Sequence, residues 1–290
     1  MHIASFIVVQ FLNGLSFAAL LFLLASGLTI IFGLMNILNL AHGSFFMVGA
    51  YVGMSTAQLT KSFTLAVLCG GAAGLVVGIL VETLLLHKLY RRSHLDQVLL
   101  TLGLIYIIGD LVRWEWGAGF MSLPPPAALD FSVPLFDTAY PVYRLFVAGV
   151  GIGLALLLWF AERRTIYGAI VRAGVLDPEM VAGVGINVRR VFLCVFALGA
   201  ALAGMAGVLG APVIGVFQGI DATVLITSLI VVVIGGLGTL AGSFWGSIIV
   251  GMAQTFGSAL MPKLSMFLIF AVMALVLLFR PQGLLGRRIR

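Results

Sequence analysis

Long apolar stretches separated by short polar segments make up almost the whole chain. No Asp, Glu, Lys or Arg occurs in residues 1–60, and only Asp221 carries charge between residues 191 and 262. A helix needs about 20 apolar residues to cross the hydrocarbon of a bilayer, so stretches this long must cross several times or fold back. The pattern predicts apolar helical segments at 6–34, 43–60, 63–86, 97–113, 145–161, 191–213, 222–237, 243–261 and 264–279.

These segments predict an all-α integral membrane protein, a polytopic helical bundle. The runs are too long and too continuous for the strands of a membrane barrel. If every segment crosses, the bundle has nine spans, and if one segment is re-entrant it has eight. Composition agrees, since 62% of the residues are hydrophobic and 9% are charged, against about 25% charged in soluble domains. Because all polar segments are short, residues 1–290 are expected to form a single transmembrane domain.

Basic residues gather just beyond the apolar segments and predict the orientation of the chain. The formal net charge is +6, and its distribution follows the positive-inside rule rather than forming a surface for nucleic acid. The clustered ends are therefore expected in the cytoplasm, with the N-terminus outside and the C-terminus inside. The clusters comprise Lys88, Arg91, Arg92, Arg163, Arg164, Arg172, Arg189, Arg190, Arg280, Arg287, Arg288 and Arg290.

Two glycine-containing breaks interrupt the apolar pattern and predict a solute path. Residues 40–46 resemble residues 240–245, with His42 as an insertion. Paired interrupted helices in two halves of a transporter point to a binding site near the midplane. Chance similarity is the alternative, and the sequence does not decide whether such halves would be parallel or inverted. The predicted path residues are Asn36, Asn39, His42, Gly43, Gly235, Gly236 and Gly238.

The asparagines of the first break allow two interpretations. Asn36 or Asn39 could cap the N-terminus of a helix. Either side chain could also offer neutral hydrogen bonds to a passing polar solute. Both interpretations can hold together, because an interrupted helix needs a cap and exposes its terminus.

Ionisable residues inside the apolar segments offer no enzymatic constellation. The sequence has no P-loop motif and no clustered histidines for a metal, so neither a catalytic nor a metal site is predicted. Glu82 and Asp110 lie within apolar segments, where such groups are functional by default. Both are close to segment ends, and the favoured interpretation is that they reach the interface or pair with Lys88 and Arg113.

The polar stretch from Arg172 to Arg190 predicts a short surface helix. Asp177 suits an N-cap, the following Pro178 suits the first helical position, and Glu179 suits the first turn. Three apolar residues then form a short face, and Gly185 ends the helix. Such an element suits docking into a partner's groove, and the alternative is a connector lying on lipid headgroups.

Four ordered motifs resemble those of the Liv-type branched-chain amino acid permeases, which are membrane subunits of ATP-binding-cassette importers. The segment Gly27–Gly43, followed by Gly49, Ala50 and Tyr51, is similar to the N-terminal signature of that family. The three further motifs are residues 172–187, Val232–Gly238 and Phe279–Leu284. The resemblance covers nearly the whole chain.

The resemblance implies a machine in which this chain provides the path and performs no bond chemistry. Its partners would be a second homologous permease, two cytoplasmic ATPases and an extracytoplasmic solute-binding protein, in a bacterial inner membrane. It would hold no cofactor, since ATP binds to the partner subunits. Glu179 and Gly185 match the family's E-A-A-x-x-x-G motif, with Met180 and Val181 in place of the alanines. The implied ATPase-coupling residues are Arg172, Asp177, Glu179, Ala182, Gly185 and Ile186.

Other functions stay open from the sequence. Permeases for urea or short amides are similar, so the substrate is less specified than the machine. An ion-coupled secondary transporter would depend on an intramembrane acid such as Glu82 or Asp110. A channel would be expected to show a repeated selectivity filter, and none is evident in the sequence.

Overall fold

All nine predicted apolar segments are helices. The computed structural model describes residues 3–90, 92–135 and 138–286, so the predicted basic residues Arg91, Arg287, Arg288 and Arg290 lie outside the described residues. The helices corresponding to the nine segments are α1 (Ile3–Met35), α2 (His42–Thr60), α3 (Phe63–Leu84), α4 (His94–Trp116), α5 (Val142–Arg164), α8 (Val188–Ile214), α9 (Ile220–Gly235), α10 (Leu240–Leu260) and α11 (Ser265–Phe279).

The remaining elements lie in the polar segments. The predicted surface helix is α7 (Pro178–Gly183), and α6 (Ile166–Leu176) has no counterpart among the predicted segments. In the described part of the chain, three short 3₁₀ helices cover Leu86–Leu89, Ala127–Leu129 and Pro262–Leu264. The proline-rich segment after α4 contains two antiparallel strands, β1 (Ser132–Leu135) and β2 (Thr138–Pro141), in which Val133 pairs with Tyr140.

Six helical segments of the described residues are long and apolar enough to cross a membrane. They are α1, α4, α5, α8, residues 63–89 and residues 262–279, and the count rises to seven if α9 and α10 form one span bent by 118°. This is lower than the predicted eight or nine. The difference arises because α2 carries His42 and Gln58 and is less apolar, and because α9 and α10 were counted as two crossings.

The core forms where α2 and α3 cross α8. A Cβ on Gly204 would overlap the carbonyl oxygen of Gly70, and a Cβ on Gly49 would overlap the backbone of Gly204. Small residues permit this close approach of helices in lipid. Gly74 and Gly78, which follow Gly70 at four-residue spacing on α3, also contact α8. This packing fixes α2, the helix that follows the first break.

The two ends of the bundle differ in composition. The C-terminal ends of α3 and α5 and the N-terminal end of α8 carry Lys88, Arg163, Arg164, Arg189 and Arg190, and we call this the basic end. At the opposite end the indole nitrogen of Trp116 donates a hydrogen bond to Oγ of Ser55 over 2.7 Å. Met121 also pairs with Val216 there, so the segment after α4 is joined to the end of α8.

Candidate solute path and coupling surface

Two helices begin inside the bundle, and their first turns meet. α2 begins at His42 and α9 at Ile220. A Cβ on Gly43 would overlap the carbonyl oxygen of Asp221, so the two backbones are in direct contact. The hydroxyl of Ser44 donates a hydrogen bond to Oδ2 of Asp221 over 3.2 Å, and both residues are buried. A carboxylate thus lies between two helix N-termini, which carry partial positive charge.

The start of α2 lies deep along α1 rather than at its end. Nε2 of His42 is 3.0 Å from the carbonyl oxygen of Leu24. Leu24 precedes Met35, the last residue of α1, by 11 positions, which is about 16 Å at 1.5 Å per residue. Residues 36–41 therefore turn back along α1 into the bundle, and the first break is a re-entrant segment.

The two asparagines of this segment stabilise its turns and do not cap α2. Asn36 follows α1 with a φ of 52°, the left-handed conformation that favours Gly or Asn at a helix end. Oδ1 of Asn39 accepts a hydrogen bond from the backbone nitrogen of Ala41 over 3.1 Å. Ala41 itself is the N-cap of α2 and provides no side-chain bond. The predicted N-cap role of Asn36 or Asn39 is wrong, because Asn36 ends α1 and Asn39 bonds within the break.

Two buried polar atoms in this region have no internal partner. Nδ2 of Asn39 and Nδ1 of His42 form no hydrogen bond within the part of the chain that the structure describes, and the two residues are only 1% and 0% exposed. Leaving a buried polar group unpaired costs about 1–3 kcal/mol, so its retention indicates a role other than stability. We call Asn39, His42, Ser44 and Asp221 the α2–α9 cluster.

The second break joins α9 to α10 and packs against the end of α1. Gly238, at a φ of 76°, lies against Gly33, and the Cα of Gly33 would lie 3.0 Å from a Cβ on Gly238. Gly235 packs against Gly242 on the first turn of α10. The hydroxyls of Thr29 and Ser243 form a buried hydrogen bond between α1 and α10. The break is therefore a close-packed turn.

The segment that follows α11 closes the end of α9. The backbone nitrogens of Leu284 and Leu285 donate hydrogen bonds of 2.8 and 3.0 Å to the carbonyl oxygens of Ile234 and Gly235. The last carbonyls of a helix have no partner within it, so this segment supplies them. Gly236 contacts the same segment. Two of the motifs identified in the sequence, 232–238 and 279–284, therefore form one structural unit.

The first break ends at the start of α9, whereas the second break follows the end of α9. Gly43 contacts the start of α9 at Asp221, whereas Gly238 follows its end at Gly235. These ends are 14 residues or about 21 Å apart. The re-entrant segment starts three residues after Gly33, near the second break, and ends at the start of α9. The predicted path residues therefore follow the length of α9 instead of forming two opposed turns.

A cavity of about 580 Å³ opens at the basic end, beside the second break. Its walls come from α1, α5, α6, α8 and the turn before α10. The cavity is lined by Gly238 of the predicted solute path and by Arg172 of the predicted ATPase-coupling residues. The other predicted path residues lie outside its lining.

The predicted surface helix is built as the sequence indicated. Oδ1 of Asp177 accepts a hydrogen bond from the backbone nitrogen of Met180 over 2.9 Å, which caps α7. At its other end Gly185 has a φ of 85°. The nitrogen of Gly185 donates to the carbonyl of Ala182 over 3.0 Å, and that of Ile186 donates to the carbonyl of Val181 over 3.4 Å. This pair of bonds is the Schellman arrangement that ends a helix at glycine.

The apolar face of α7 is only partly buried. Val181 is buried, whereas Met180 and Val184 are 70% and 72% exposed. The exposed predicted coupling residues are Asp177, Glu179, Ala182 and Gly185, and the half-buried ones are Ile186 and Arg172. The preceding helix, α6, packs on α1 through a contact between Gly174 and Leu34.

The family model described as branched-chain amino acid transport system / permease component matches residues 10–277. The chain belongs to this family. The permease is 28% identical to BraD of Pseudomonas aeruginosa, a high-affinity branched-chain amino acid transport system permease protein, over 96% of its own length and 95% of the relative. It is also 28% identical to LivH of Escherichia coli K12, with the same coverage. No solved structure matches it significantly.

A second kind of relative bears on the permease partner. LivM of Escherichia coli K12, named a permease protein of the same high-affinity system, is 27% identical over 91% of this permease and 67% of the relative. Two different permease proteins that both resemble this chain support a permease partner. Together with the apolar helices, the relatives support a multi-pass protein of the bacterial inner membrane that acts in transport and is not an enzyme.

Two acidic residues of the permease differ from their sequence-based assignments. Asp221 was not among the predicted site residues, although its isolation as the one charge between residues 191 and 262 was a signal for it. Glu82 was expected to reach the interface or pair with Lys88. Instead it is 1% exposed and accepts a hydrogen bond from the hydroxyl of Tyr90. That expectation is wrong, because Tyr90 covers the carboxylate.

Proposed function

We propose that this permease is the membrane subunit of an ATP-binding-cassette importer that moves branched-chain amino acids into the cytoplasm. It would work with a second homologous permease, two cytoplasmic ATPases that bind the ATP, and an extracytoplasmic solute-binding protein. The capped, exposed helix α7 carries this proposal, because a secondary transporter or channel needs no such docking element. The names of the relatives support branched-chain amino acids over urea or short amides.

The α2–α9 cluster has the chemistry that the polar part of an amino acid requires. In this proposal the carboxylate of Asp221 pairs with the ammonium group of the amino acid, and Nδ2 of Asn39 donates to its carboxylate group. Nε2 of His42 donates to the carbonyl oxygen of Leu24, so Nδ1 of the neutral ring is an acceptor and faces the ammonium group. Both atoms of the break, Nδ2 and Nδ1, are buried without a partner among the described residues. Helix N-termini favour an anion without adding a permanent charge. The partners are few, so a solute delivered by a binding protein is held weakly enough to leave.

The predicted path then runs along α9 from this cluster towards the basic end. Asn36, Asn39, His42 and Gly43 form the re-entrant side of the path, and Gly235, Gly236 and Gly238 form its end beside the cavity. Movement of α7 would reach this end through α6, since Gly174 packs on Leu34 and Gly33 packs on Gly238. We also propose that residues 1–290 act as one transmembrane domain, which the shared core from α1 to α9 supports.

Coupling to the ATPase is assigned to α7 and its flanks. The exposed side chains of Met180 and Val184 offer apolar contact, and Glu179 offers charge. Arg172, Asp177, Ala182, Gly185 and Ile186 hold the segment in place or border it.

Replacing Gly185 with leucine is expected to reduce both ATPase binding and ATP-driven uptake. No atom lies within 4 Å of a Cβ added at Gly185, so the effect arises from backbone conformation. The left-handed conformation costs a non-glycine residue about 1–2 kcal/mol. Leucine is therefore expected to leave this conformation and shift the end of α7. Co-purification of the ATPases and uptake should fall about fivefold or more at unchanged membrane yield.

Two matched variants separate conformation from bulk. Gly185→Asn should keep most binding, because asparagine tolerates the left-handed conformation. Gly183→Leu adds the same side chain inside α7, where a Cβ also has open space. Wild-type binding and uptake by Gly185→Leu would remove this segment from the interface.

We also propose that the basic end faces the cytoplasm, with the N-terminus outside and the C-terminus inside. The Lys and Arg bias supports this orientation. A cysteine introduced at Asn187 or Gln282 should resist a membrane-impermeant maleimide in intact cells and react after permeabilisation. Ready labelling of either site in intact cells would reverse the orientation.

A further inference from the structure

The cavity at the basic end is a cleft between α5 and α8, which are joined away from the cleft by a hydrogen bond from the hydroxyl of Tyr143 to the carbonyl oxygen of Leu209. α5 and α8 both pack against α1, and within the described ranges no extensive contact joins α5 to α8. The cleft between them measures about 580 Å³. Its lining is mostly apolar, and the apolar walls include Leu158, Ile170, Val171, Val191, Val195 and Leu198.

One end of this cleft is cationic. Arg172 and Arg190 line it together with Glu162, so two positive charges and one negative leave an excess of one positive charge. Nη1 of Arg172 is buried and forms no hydrogen bond with any described residue. A guanidinium group binds a phosphate through paired N–H donors. The charge and the unpaired donor both favour a phosphate-bearing ligand.

The cleft is open on the side that faces the surface of the bundle. Leu198 is 46% exposed in its wall, and Cys194 of α8 is exposed beside it. The neighbouring surface of α5 is apolar, with Leu156 and Leu157 each at least 60% exposed. Because α5 and α8 are both candidate membrane spans, a ligand that entered from this side would come from the hydrocarbon of the membrane.

We propose that this cleft binds one anionic phospholipid of the leaflet at the basic end. The phosphate would lie on Arg172 and Arg190, and one acyl chain would lie along the apolar wall towards Leu198. Basic pockets between membrane helices on the cytoplasmic side suit anionic headgroups. The lipid would join α5 and α8 beside α6, next to the segment assigned to ATPase coupling.

The chain's two cysteines allow a direct test. Cys194 lines the cleft, whereas Cys69 of α3 lies outside its lining. The full-length protein, delipidated in detergent, is treated with N-ethylmaleimide, and modification at each cysteine is followed by peptide mass spectrometry. Dioleoylphosphatidylglycerol at about four times its dissociation constant should slow Cys194 about fivefold, since about one fifth of the clefts would stay free. Cys69 should be unaffected, and dioleoylphosphatidylcholine should give little protection.

Paired variants test the arginines. Arg172→Ala with Arg190→Ala should lose the protection, and Arg190→Ala alone should weaken it if the double variant folds poorly. The control double variant, Arg163→Ala with Arg164→Ala, removes the same charge at exposed positions outside the cleft lining. This variant should keep the lipid protection of Cys194. Equal protection by phosphatidylcholine, by inorganic phosphate or by free leucine would overturn the proposal, as would full protection in the double variant. The assay needs no ATPase and no transport, so its failure leaves the importer proposal untouched.

Discussion

Replacing Asp221 with asparagine is expected to remove most leucine uptake while the protein still inserts and folds. Asparagine keeps the shape of the side chain and an oxygen that can accept the hydrogen bond of Ser44. Only the charge is lost, and with it the proposed partner of the ammonium group. A hydrogen bond to a charged group contributes about 1.5–3 kcal/mol, which corresponds to a decrease of about tenfold to a hundredfold in uptake at limiting leucine.

Asp110→Asn is the matched control for this prediction. Asp110 also lies within a candidate span, on α4, but its side chain is exposed on the outside of the bundle. Uptake should be close to that of the unmodified permease. If Asp221→Asn transports leucine normally at wild-type membrane yield, Asp221 only holds α9 to α2 through Ser44, and the assignment of the ammonium group to this cluster is wrong.

Replacing Gly49 with valine is expected to prevent assembly of the bundle. Gly49 lies where α2, α3 and α8 meet, because its added Cβ would overlap the backbone of Gly204 and its carbonyl oxygen lies against Gly70. Backbone atoms cannot move aside as a flexible side chain can, so the helices must separate. Overpacking of this kind, in a bundle held by close helix packing, should lower the monodisperse yield in mild detergent by about tenfold or more.

Gly153→Val tests whether valine itself is harmful in a membrane helix of this chain. Gly153 is exposed on α5, and nothing lies within 4 Å of a Cβ added there. Its yield should stay near that of the wild type by size-exclusion chromatography. A normal, monodisperse Gly49→Val protein would show that the three helices do not cross at this point.

The apolar pattern predicted the helices well because each depends on local composition. The same pattern could not locate their crossings. α2 is less apolar than the candidate spans yet is packed against α3, α8 and α9, and its polar residues His42, Ser44 and Tyr51 are buried inside. Residues 36–41 were recognised as a break, but their return along α1 depends on the contact between His42 and Leu24, which are distant in sequence.

In the candidate sites, too, the sequence predicted features that depend on neighbouring residues and missed contacts between distant ones. α7 was predicted to the residue because its cap and its terminating glycine act on their own neighbours. The hydrogen bond between Ser44 and Asp221 joins residues 177 positions apart. The periodicity of apolar positions in the sequence does not indicate such a contact. Likewise the motif at 279–284 was noted without a role, since its bonds to the end of α9 are visible only in three dimensions.

ATP dependence of leucine uptake tests the central proposal most directly. The permease would be purified with its co-purifying subunits from its native membrane, reconstituted into liposomes with ATP or without it, and supplied with radiolabelled leucine on the side of the solute-binding protein. The proposal predicts accumulation that requires ATP at the ATPase side and stops when hydrolysis is blocked. Leucine uptake at the same rate by the permease alone, without ATP or driven by an ion gradient, would contradict it.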